Sequence, residues 1–403
     1  MVREFARIGC NFNLLSLCAG VDALVTDMQR AGAVAGLRGL GRAGLDVVAL
    51  GPSRTAAGLW SRFAAVRATG PDAIENSSDF AATVGQLARE HGPLVVFPGR
   101  EEAIDALLPR LDEMPSELIF PYATGGALDV IRNKRALAPL AERAGFRVPR
   151  VLRETNADEL KRSSVPLPCV IKSANPVTRL GSAHIITSDE QLRHMLWWHA
   201  LPEDEPLLVQ ELVRGTMSSV ELVMSPDGTV AARFQSRVTR TWPSAGGSIS
   251  SAVSVEPDEE LIERAARMLA EAGYWGLAQL DLIDAESGLT LVDVNPRFYL
   301  CLPLAIASGV NLPAAWHAVA TGAPSRPDSY RVGVAYRWLE GDIAAAARGS
   351  PGRLFRPDHR GEAGTMWAAD DPLPSVLLAS DAVGLRIRRR IDRLRRRGSA
   401  PSS

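Results

Sequence analysis

Short apolar segments and longer helical segments alternate along the first third of the chain. Apolar runs occupy 22–28, 45–50 and 93–99, and stretches with helical spacing occupy 32–42 and 78–92. Short apolar strands joined by helices of this length are typical of βαβ units, in which the strands form a parallel sheet. The pattern therefore predicts a doubly wound parallel-sheet domain, which we place at residues 1–128.

The pattern changes after this first domain, where strands follow one another with turns between them. Runs at 218–225 and 229–238 flank a Pro-Asp-Gly turn and predict an antiparallel pair. The Ser- and Gly-rich residues 243–251 predict a loop. The fold class is thus α/β followed by α+β, with a second domain at 129–325 and a C-terminal extension with weaker signals at 326–403.

Polar residues cluster at the end of an apolar run in the segment LVDVNPRFY, residues 291–299. With the preceding apolar run it predicts an antiparallel hairpin, in which side chains alternate between two faces. Asp281 on the first strand can then converge with Asp293 and Asn295 on the second. Such hard oxygen ligands suit Mg²⁺. A polar hairpin face that meets only solvent is the alternative, but it does not explain Arg297, whose charge suits a phosphoryl group.

Two lysines are candidates for binding phosphate. Lys172 lies inside the apolar strand CVIKSA, where a buried ammonium needs a partner. An edge strand with a solvated lysine is the alternative. Lys134 lies in a helical segment, where a solvated surface lysine is the ordinary outcome.

A glycine-rich motif at Gly39–Gly44 matches G-x-G-x-x-G, the dinucleotide fingerprint. That fingerprint binds a pyrophosphate only where a strand precedes it and a helix follows. Here a helical stretch precedes it and an apolar strand follows. We therefore predict a helix end and a turn at these glycines, and we disfavour a nicotinamide-dependent oxidoreductase.

The overall composition is that of a globular protein, with 46% hydrophobic and 23% charged residues and a formal net charge of -1. A basic tail departs from this average, since residues 385–397 contain eight Arg and one Asp. Its spacing of Ile and Leu predicts a basic amphipathic helix. Contact with an anionic membrane surface and a solvated terminus stay open, and we expect no nucleic-acid partner.

The remaining features favour a cytoplasmic protein, with peripheral contact at the inner membrane face as an alternative. The four cysteines have no metal-ligand or disulfide spacing. No apolar run reaches the roughly 18 residues of a membrane span. Polar residues interrupt the apolar N-terminal stretch, so we disfavour a signal peptide.

Several motifs resemble a known family when they are taken in chain order. They are RNKRALAPLAERAGFRVP, CVIKSA, LLVQELVRG, LAQLDLI and LVDVNPRF. This order resembles the ATP-grasp superfamily, most closely its predicted carboxylate-amine ligases, over roughly residues 22–325. The resemblance implies an N-terminal pre-ATP-grasp domain followed by two subdomains that enclose ATP.

The resemblance also implies ATP and two Mg²⁺ ions as cofactors, with Mn²⁺ as an alternative ion. The metal ligands would be Asp281, Asp293 and Asn295. Lys134 and Lys172 would hold the α and β phosphates, and Arg297 would contact the transferring phosphoryl group.

An adenine contact is implied for the segment VQELVRG. Gln210 and Glu211 would meet the adenine amino group, and the Val213 backbone would read the ring. Relatives often carry an acid for the ribose hydroxyls where Met217 stands here. Glu221 is the candidate to replace it.

Further contacts are expected from two loops. Arg237 and Arg240 are candidates to bind a substrate carboxylate or the γ-phosphate, and a solvated surface pair is the alternative. Arg179, Gly181 and Ser182 are expected to close over the triphosphate.

The function that the resemblance implies is activation of a carboxylate as an acylphosphate, followed by attack of an amine to form an amide. The partners would be a small-molecule carboxylate and an amine, and a homodimer is compatible with the sequence. A small-molecule kinase, a carboxylating enzyme and a nucleotide-binding module without turnover are the alternatives.

Overall fold

The computed structural model describes residues 21–123, 126–174, 180, 183–242, 247–325, 329–346, 352 and 367–380. They form one parallel and two antiparallel sheets. Outside the described residues lie the basic tail, the first 20 residues and the loop residues Arg179, Gly181 and Ser182. Within the described part, no helix combines the length and apolar character that crossing a membrane requires.

The N-terminal sheet is fully parallel, as predicted. Its strands are β1 (Ala23–Val25), β2 (Val47–Gly51), β3 (Ala64–Thr69), β4 (Leu94–Phe97) and β5 (Leu118–Ile119), in the order β3-β2-β1-β4-β5. The connecting helices are α1 (Ala31–Arg42), α2 (Ser77–His91) and α3 (Glu101–Leu107). Strands β2 and β4 are buried throughout, which explains their uninterrupted apolar sequences. The strand order reverses at β1, so the carboxyl ends of β1 and β4 flank a crevice.

The glycine-rich motif ends a helix, as predicted. Gly39 and Gly41 lie within α1, and Gly44 follows it with φ at 86°. The amide of Gly44 donates to the carbonyl of Gly41, and the amide of Leu45 donates to that of Leu40. This backbone pattern closes the last turn of a helix and requires a left-handed residue, which explains Gly44.

A smaller antiparallel sheet follows. It contains β6 (Val151–Asn156), β7 (Cys169–Ser173), β8 (His184–Ile186) and β9 (Pro206–Glu211), in the order β6-β9-β7-β8. Helices α4 (Ala127–Arg132) and α5 (Lys134–Arg143) precede it. Helices α6 (Ala157–Arg162) and α7 (Asp189–His199) pack against it. In β7 the side chains of Cys169 and Ile171 enter the core under α6 and α7. Lys172 alternates with them, so its side chain leaves the opposite face.

The larger antiparallel sheet carries most of the second half of the chain. Its strands are β10 (Thr216–Met224), β11 (Val230–Trp242), β12 (Ser248–Ser254), β13 (Gly276–Ala285), β14 (Gly288–Asn295) and β15 (Ala335–Arg337), in the order β14-β13-β10-β11-β12-β15. Helices of this half include α8 (Glu259–Glu271), α9 (Leu302–Ser308), α10 (Leu312–Ala320) and α11 (Leu339–Ala346). Strand β15 lies beyond residue 325, so the sheet continues past the end that we predicted for the second domain.

The predicted loop at 243–251 is wrong for its last four residues. Ser248 starts β12, which pairs with β11 on one side and with β15 on the other. Ser250, Ser251 and Ser254 are almost fully buried there, and hydroxyl hydrogen bonds of these serines satisfy polar atoms of neighbouring residues. Small polar residues with partners can therefore form a central strand although their sequence resembles a loop.

An aromatic cluster joins the parallel sheet to the helices of the larger sheet. The ring of Phe97 on β4 lies 5.5 Å from that of Phe298 and 4.8 Å from that of Trp316 on α10. A Cβ atom on Gly32 of α1 would lie 2.9 Å from the carbonyl oxygen of Phe298, so the first turn of α1 touches that backbone directly. This packing places the carboxyl edge of the parallel sheet beside the end of β14.

Candidate active site

The predicted hairpin is present, and its register brings the polar residues together. Asp281 on β13 lies directly opposite Asp293 on β14, and Gln279 lies opposite Asn295. The Asn295 amide donates to a carboxylate oxygen of Asp281 at 3.2 Å and to the Gln279 side-chain oxygen at 3.4 Å. Directly opposite residues share a face of the sheet, so these four side chains form one polar surface.

The two carboxylates of this surface have pKa values shifted in opposite directions. Burial, and then the negative charge of Asp293, raise the pKa of Asp281 to about 7. Burial alone would also raise the pKa of Asp293, but the positive charges of Lys134, Lys172 and Arg297 lower it below its ordinary value. Added positive charge at this pair would therefore favour the ionised form of Asp281 beside the charged Asp293.

Both predicted lysines reach this surface from other elements. Lys134, the first residue of α5, places its ammonium 3.5 Å from a carboxylate oxygen of Asp293. Lys172 on β7 crosses from the smaller sheet and donates to the carbonyl of Val292 at 2.9 Å. Val292 is the extra residue of a bulge, because the register shifts between Asp293 and Leu291. Burial and the charge of Lys134 lower the pKa of Lys172, and Asp293 opposes this shift.

Arg297 is held at the end of the hairpin. Its guanidinium donates to the Asn295 side-chain oxygen and to the carbonyl of Phe298, both at 3.2 Å. Its Nε atom also lies 3.3 Å from the carboxylate of Glu101, the first residue of α3. The structure thus brings together six of the predicted residues: Lys134, Lys172, Asp281, Asp293, Asn295 and Arg297.

The donor set at the hairpin fits Mg²⁺ that is shared with phosphate. One carboxylate oxygen of Asp281 is buried and has no hydrogen-bond partner among the described residues. The described residues contain no group of three or more His, Cys, Asp or Glu side chains that would hold a metal by themselves. Two carboxylates and an amide are what Mg²⁺ takes from a protein where phosphates and water complete its shell.

Glu221 lies on the same face of the sheet but deeper than predicted for a ribose contact. It pairs with Gln279, and Ser219 pairs with Asp281, in the register of β10 with β13. Its side chain is 1% exposed, and it accepts from the Ser219 hydroxyl at 2.6 Å. Burial raises its pKa to about 8. In this geometry Glu221 is a neutral interior residue near neutral pH.

The predicted adenine segment connects the two antiparallel sheets. Gln210 and Glu211 end β9, and Val213 lies in the short link to β10. The Glu211 carboxylate accepts from the Arg150 backbone amide at 3.0 Å, so it already has a partner. A Cβ atom on Gly215 would lie 2.1 Å from the carbonyl oxygen of Asp284 on β13, so the link passes directly over that strand.

Comparisons with known proteins support this fold. The family model described as "ATP-grasp in the biosynthetic pathway with Ter operon" matches residues 203–341, which include the hairpin. A search of curated proteins found no match. Two solved structures are similar over most of the chain.

The N5-carboxyaminoimidazole synthetase of Staphylococcus aureus is 12% identical, covers 83% of this chain and 86% of its own, and has a TM-score of 0.58. The biotin carboxylase-beta-gamma-ATP complex of Campylobacter jejuni is 15% identical, covers 77% of this chain and 74% of its own, and has a TM-score of 0.56. Residues 203–341 thus match an ATP-grasp family model, and the chain shares the fold of these two structures.

A third similar structure contains bound nucleotide and bicarbonate. The biotin carboxylase domain of the Hydrogenobacter thermophilus 2-oxoglutarate carboxylase is a dimer in complex with MgADP, ADP and bicarbonate. It is 15% identical, covers 79% of this chain and 74% of its own, and has a TM-score of 0.56. At these identities the similarity establishes the ATP-grasp fold of this chain.

The structure does not bring Arg237 to the polar surface of the β13–β14 hairpin. Ser236 shares a row of paired residues with Ser219 and Asp281, whereas Arg237 shares the next row with Ser218. Adjacent rows face opposite sides of a sheet, so Arg237 lies on the other face. It is exposed there.

Arg240 is held in an ion pair with the C-terminal part of the chain. Its guanidinium lies 3.1 Å from a carboxylate oxygen of Asp342 on α11, and Arg337 lies 2.6 Å from the same oxygen. Asp342 is fully buried. The solvated surface pair that we considered is therefore wrong for Arg240, and a role in binding an anionic ligand stays a prediction.

Sequence reasoning missed Glu101, although a signal for it was present. The residues Gly99-Arg100-Glu101-Glu102 follow the buried strand β4, so charged side chains stand at a strand end. The same signal identified the hairpin residues. What the sequence does not contain is the distance between Glu101 and Arg297, which the packing of two sheets decides.

Proposed function

We propose that the chain is an ATP- and Mg²⁺-dependent ligase that activates a carboxylate as an acylphosphate and joins it to an amine. The observation that carries this proposal is the convergence of two carboxylates, an amide and three cations around one hairpin. Phosphoryl transfer depends chiefly on positioning and electrostatic stabilisation, which such a site supplies.

The residues have separate tasks in this proposal. Asp281, Asp293 and Asn295 hold Mg²⁺, which when bound neutralises charge on the phosphates. Lys134 and Lys172 bind the α and β phosphates from opposite sides of the cleft. Their present neighbours, a carboxylate and a backbone carbonyl, keep both ammonium groups at the site before the nucleotide binds.

The remaining predicted residues are assigned to the base and the sugar of the nucleotide. Gln210, Glu211 and Val213 contact the adenine at the link between the sheets, where backbone groups are available without a special side chain. Glu221 stays as the candidate on the ribose side, although its buried position favours a supporting role behind the metal ligands.

The chemistry has two steps. An oxygen of the substrate carboxylate attacks the γ-phosphorus of ATP, the bond from that phosphorus to the β-γ bridging oxygen breaks, and ADP leaves. The amine nitrogen then attacks the acyl carbon, phosphate leaves with the carboxylate oxygen, and the nitrogen loses a proton. Arg297 contacts the phosphoryl group as it moves, because charge on its oxygens grows or shifts in that step.

Carboxylation is the second candidate function. It is favoured by the names of the similar structures, which are carboxylases and carboxyaminoimidazole synthetases. Bicarbonate would then be the carboxylate that is activated. A kinase would instead transfer the phosphoryl group to a product that keeps it.

A screen for ADP release tests the proposal and separates the alternatives. MgATP is offered with a panel of carboxylic acids, bicarbonate and amines, and the mass of each product is read. A ligase requires one acid and one amine and forms a product that has lost water. A requirement for bicarbonate identifies a carboxylating enzyme, and a phosphorylated product without an amine identifies a kinase.

Asp293→Ala is the variant that tests the site within this screen. We expect Mg²⁺-dependent ADP release to fall by at least about a hundredfold, because a ligand of the metal is lost. Asp284→Ala is the matched control, since Asp284 is an exposed carboxylate on the same hairpin. Equal rates in the wild type and in Asp293→Ala would refute the site.

Several wider expectations belong to the same proposal. A domain boundary at residue 128, small-molecule substrates, a homodimer and a cytoplasmic location are compatible with a ligase of this fold, whereas a boundary at residue 325 would separate β15 from its sheet. Contact of the basic tail with a membrane is a separate hypothesis that the proposed chemistry does not need.

A further inference from the structure

Glu101 begins α3, shortly after the parallel-sheet strand β4, and contacts Arg297 beyond the end of β14. One of its carboxylate oxygens lies 3.3 Å from Nε of Arg297. The other accepts from Nε of Arg132 at 2.6 Å. The Glu101 side chain is only 15% exposed, so water screens these charges weakly.

Both arginines lead to groups of the proposed site. Arg297 is the candidate phosphoryl contact and donates to Asn295. Arg132 ends α4, and Lys134 begins α5 two residues later. A single carboxylate on α3 therefore contacts Arg297 at the end of the hairpin and also Arg132 at the end of α4, directly before the helix that carries Lys134.

The backbone that carries Glu101 is itself fixed by ion pairs. The guanidinium of the preceding residue, Arg100, lies 2.6 Å from Asp27 and 2.7 Å from Asp72. Glu101 also occupies the first turn of α3, where a negative side chain is favoured by the helix dipole. Its carboxylate is thus held in place before any ligand arrives.

We infer that Glu101 is a positioning residue that holds the Arg297 guanidinium in the orientation required to contact the transferring phosphoryl group. This inference rests on the proposed function. An arginine has several rotatable bonds, and the Glu101 carboxylate pairs with Nε by charge at 3.3 Å, without a hydrogen bond there, while the terminal nitrogens donate to Asn295 and to the Phe298 carbonyl. Without Glu101 the same arginine samples other orientations and contacts the phosphoryl group less often.

The chain offers a matched control for this inference. Asp105 binds the same Arg132 through a terminal nitrogen, but among the described residues it forms no ion pair or hydrogen bond with Arg297. Asp105→Asn therefore removes one charge from Arg132 as Glu101→Gln does, and it leaves the Glu101–Arg297 contact intact. A difference between the two variants reports on Arg297 and not on the stability of α4.

The test measures binding of aluminium fluoride, a planar mimic of the transferring phosphoryl group, to each variant saturated with MgADP. We expect MgADP to bind both variants as it binds the wild type. Affinity for aluminium fluoride should fall about tenfold in Glu101→Gln and stay unchanged in Asp105→Asn. In an Arg297→Lys background, Glu101→Gln should cause no further loss, because the residue acts through Arg297.

The results separate this inference from the proposed function. If the wild type binds no MgADP, the proposed function fails and the inference fails with it. If the wild type binds MgADP and aluminium fluoride but Glu101→Gln binds both equally well, only the inference is overturned. Equal losses in Glu101→Gln and Asp105→Asn would also overturn it, since they would indicate a structural role through Arg132.

Discussion

At the scale of single residues, the site depends on acids whose surroundings differ although their chemistry is the same. Asp293 is surrounded by cations and has a lowered pKa, whereas Glu221 is enclosed in the sheet and has a pKa raised to about 8. The first acid is ionised and available to a metal. The second acid holds a proton near neutral pH and therefore makes the stability of the fold depend on pH.

Because the pKa of Glu221 is raised, we expect the protein to lose stability as the pH rises. Its pKa is about 8 in the folded protein and 4.5 for an ordinary glutamate, so between these values the folded state holds a proton that the unfolded state has lost. Its contribution is fully present below pH 4.5 and is lost as the pH approaches 8, by up to about 1.4 kcal/mol for each pH unit. Glu221→Gln should reduce this slope between pH 6 and 8, measured by urea unfolding in EDTA.

Glu286→Gln is the control for this prediction, since Glu286 is exposed in the turn between β13 and β14. It should leave the slope of the wild type unchanged. An equal slope in the wild type and in Glu221→Gln would show that Glu221 is ionised in the folded protein.

The sequence was sufficient to predict the positions of the hairpin residues but not the burial of Glu221, for a physical reason. The alternation of β13 and β14 predicts that Asp281, Asp293 and Asn295 share a face, and the register confirms it. The degree of burial of Glu221 depends on strands that pair from both sides. That information is spread over distant segments and cannot be read from the residues around Glu221.

At the scale of elements, the link between β9 and β10 controls how the two antiparallel sheets meet. Gly215 lies so close to the Asp284 carbonyl that any side chain would push the link away from β13. The predicted adenine segment, residues 209–215, would then move away from the hairpin.

Gly215→Ala should destabilise the fold by about 1–3 kcal/mol, because an added methyl group overlaps backbone that cannot move easily. Gly85→Ala is the control. Gly85 lies in α2, where an added Cβ would meet only ordinary contacts at 3.5 Å, and alanine favours a helix. Thermal unfolding of both variants checks the prediction, and a Gly215→Ala protein as stable as Gly85→Ala would contradict it.

The parallel sheet and the hairpin were predictable as elements, but β12 was not. Apolar runs such as those of β2 and β4 identify buried strands directly. Strand β12 is built from serines, and the β11 ladder that precedes it contains two register shifts around Arg240. Its position depends on neighbours on both sides, one of which, β15, comes more than 80 residues later.

At the scale of the whole molecule, the C-terminal segment returns to the N-terminal sheet. Arg38 on α1 and Asp371 form an ion pair at 2.8 Å in which each side chain is 3% exposed. Asp371 also accepts from the Ser61 hydroxyl and the Arg62 amide. One turn further along α1, Arg42 pairs with Asp370, but both side chains are partly exposed.

These neighbouring pairs predict unequal effects of two adjacent substitutions. Asp371→Ala should destabilise the protein by about 3–5 kcal/mol, because it leaves the Arg38 charge buried without its carboxylate. Asp370→Ala should cost about 1 kcal/mol or less, because water screens an exposed pair. Urea unfolding measures both, and equal effects would show that the segment is not held by the buried pair.

Contacts of this kind set the limit of sequence reasoning for this chain. Arg38 and Asp371 are 333 positions apart, and Glu101 and Arg297 are nearly 200 apart. Local pattern identifies the polar residues at strand ends. It does not identify which ends meet, because that depends on how α1, α3 and α10 pack between the sheets.

The central claim is that the β13–β14 hairpin holds a nucleotide through Mg²⁺. Calorimetric titration of a non-hydrolysable ATP analogue, in Mg²⁺ and in EDTA, tests it most directly. We expect Mg²⁺ to strengthen binding to the wild type at least about tenfold and to have no such effect on Asp293→Ala. Equal enhancement by Mg²⁺ in the wild type and in Asp293→Ala would show that the hairpin does not bind the nucleotide through Mg²⁺.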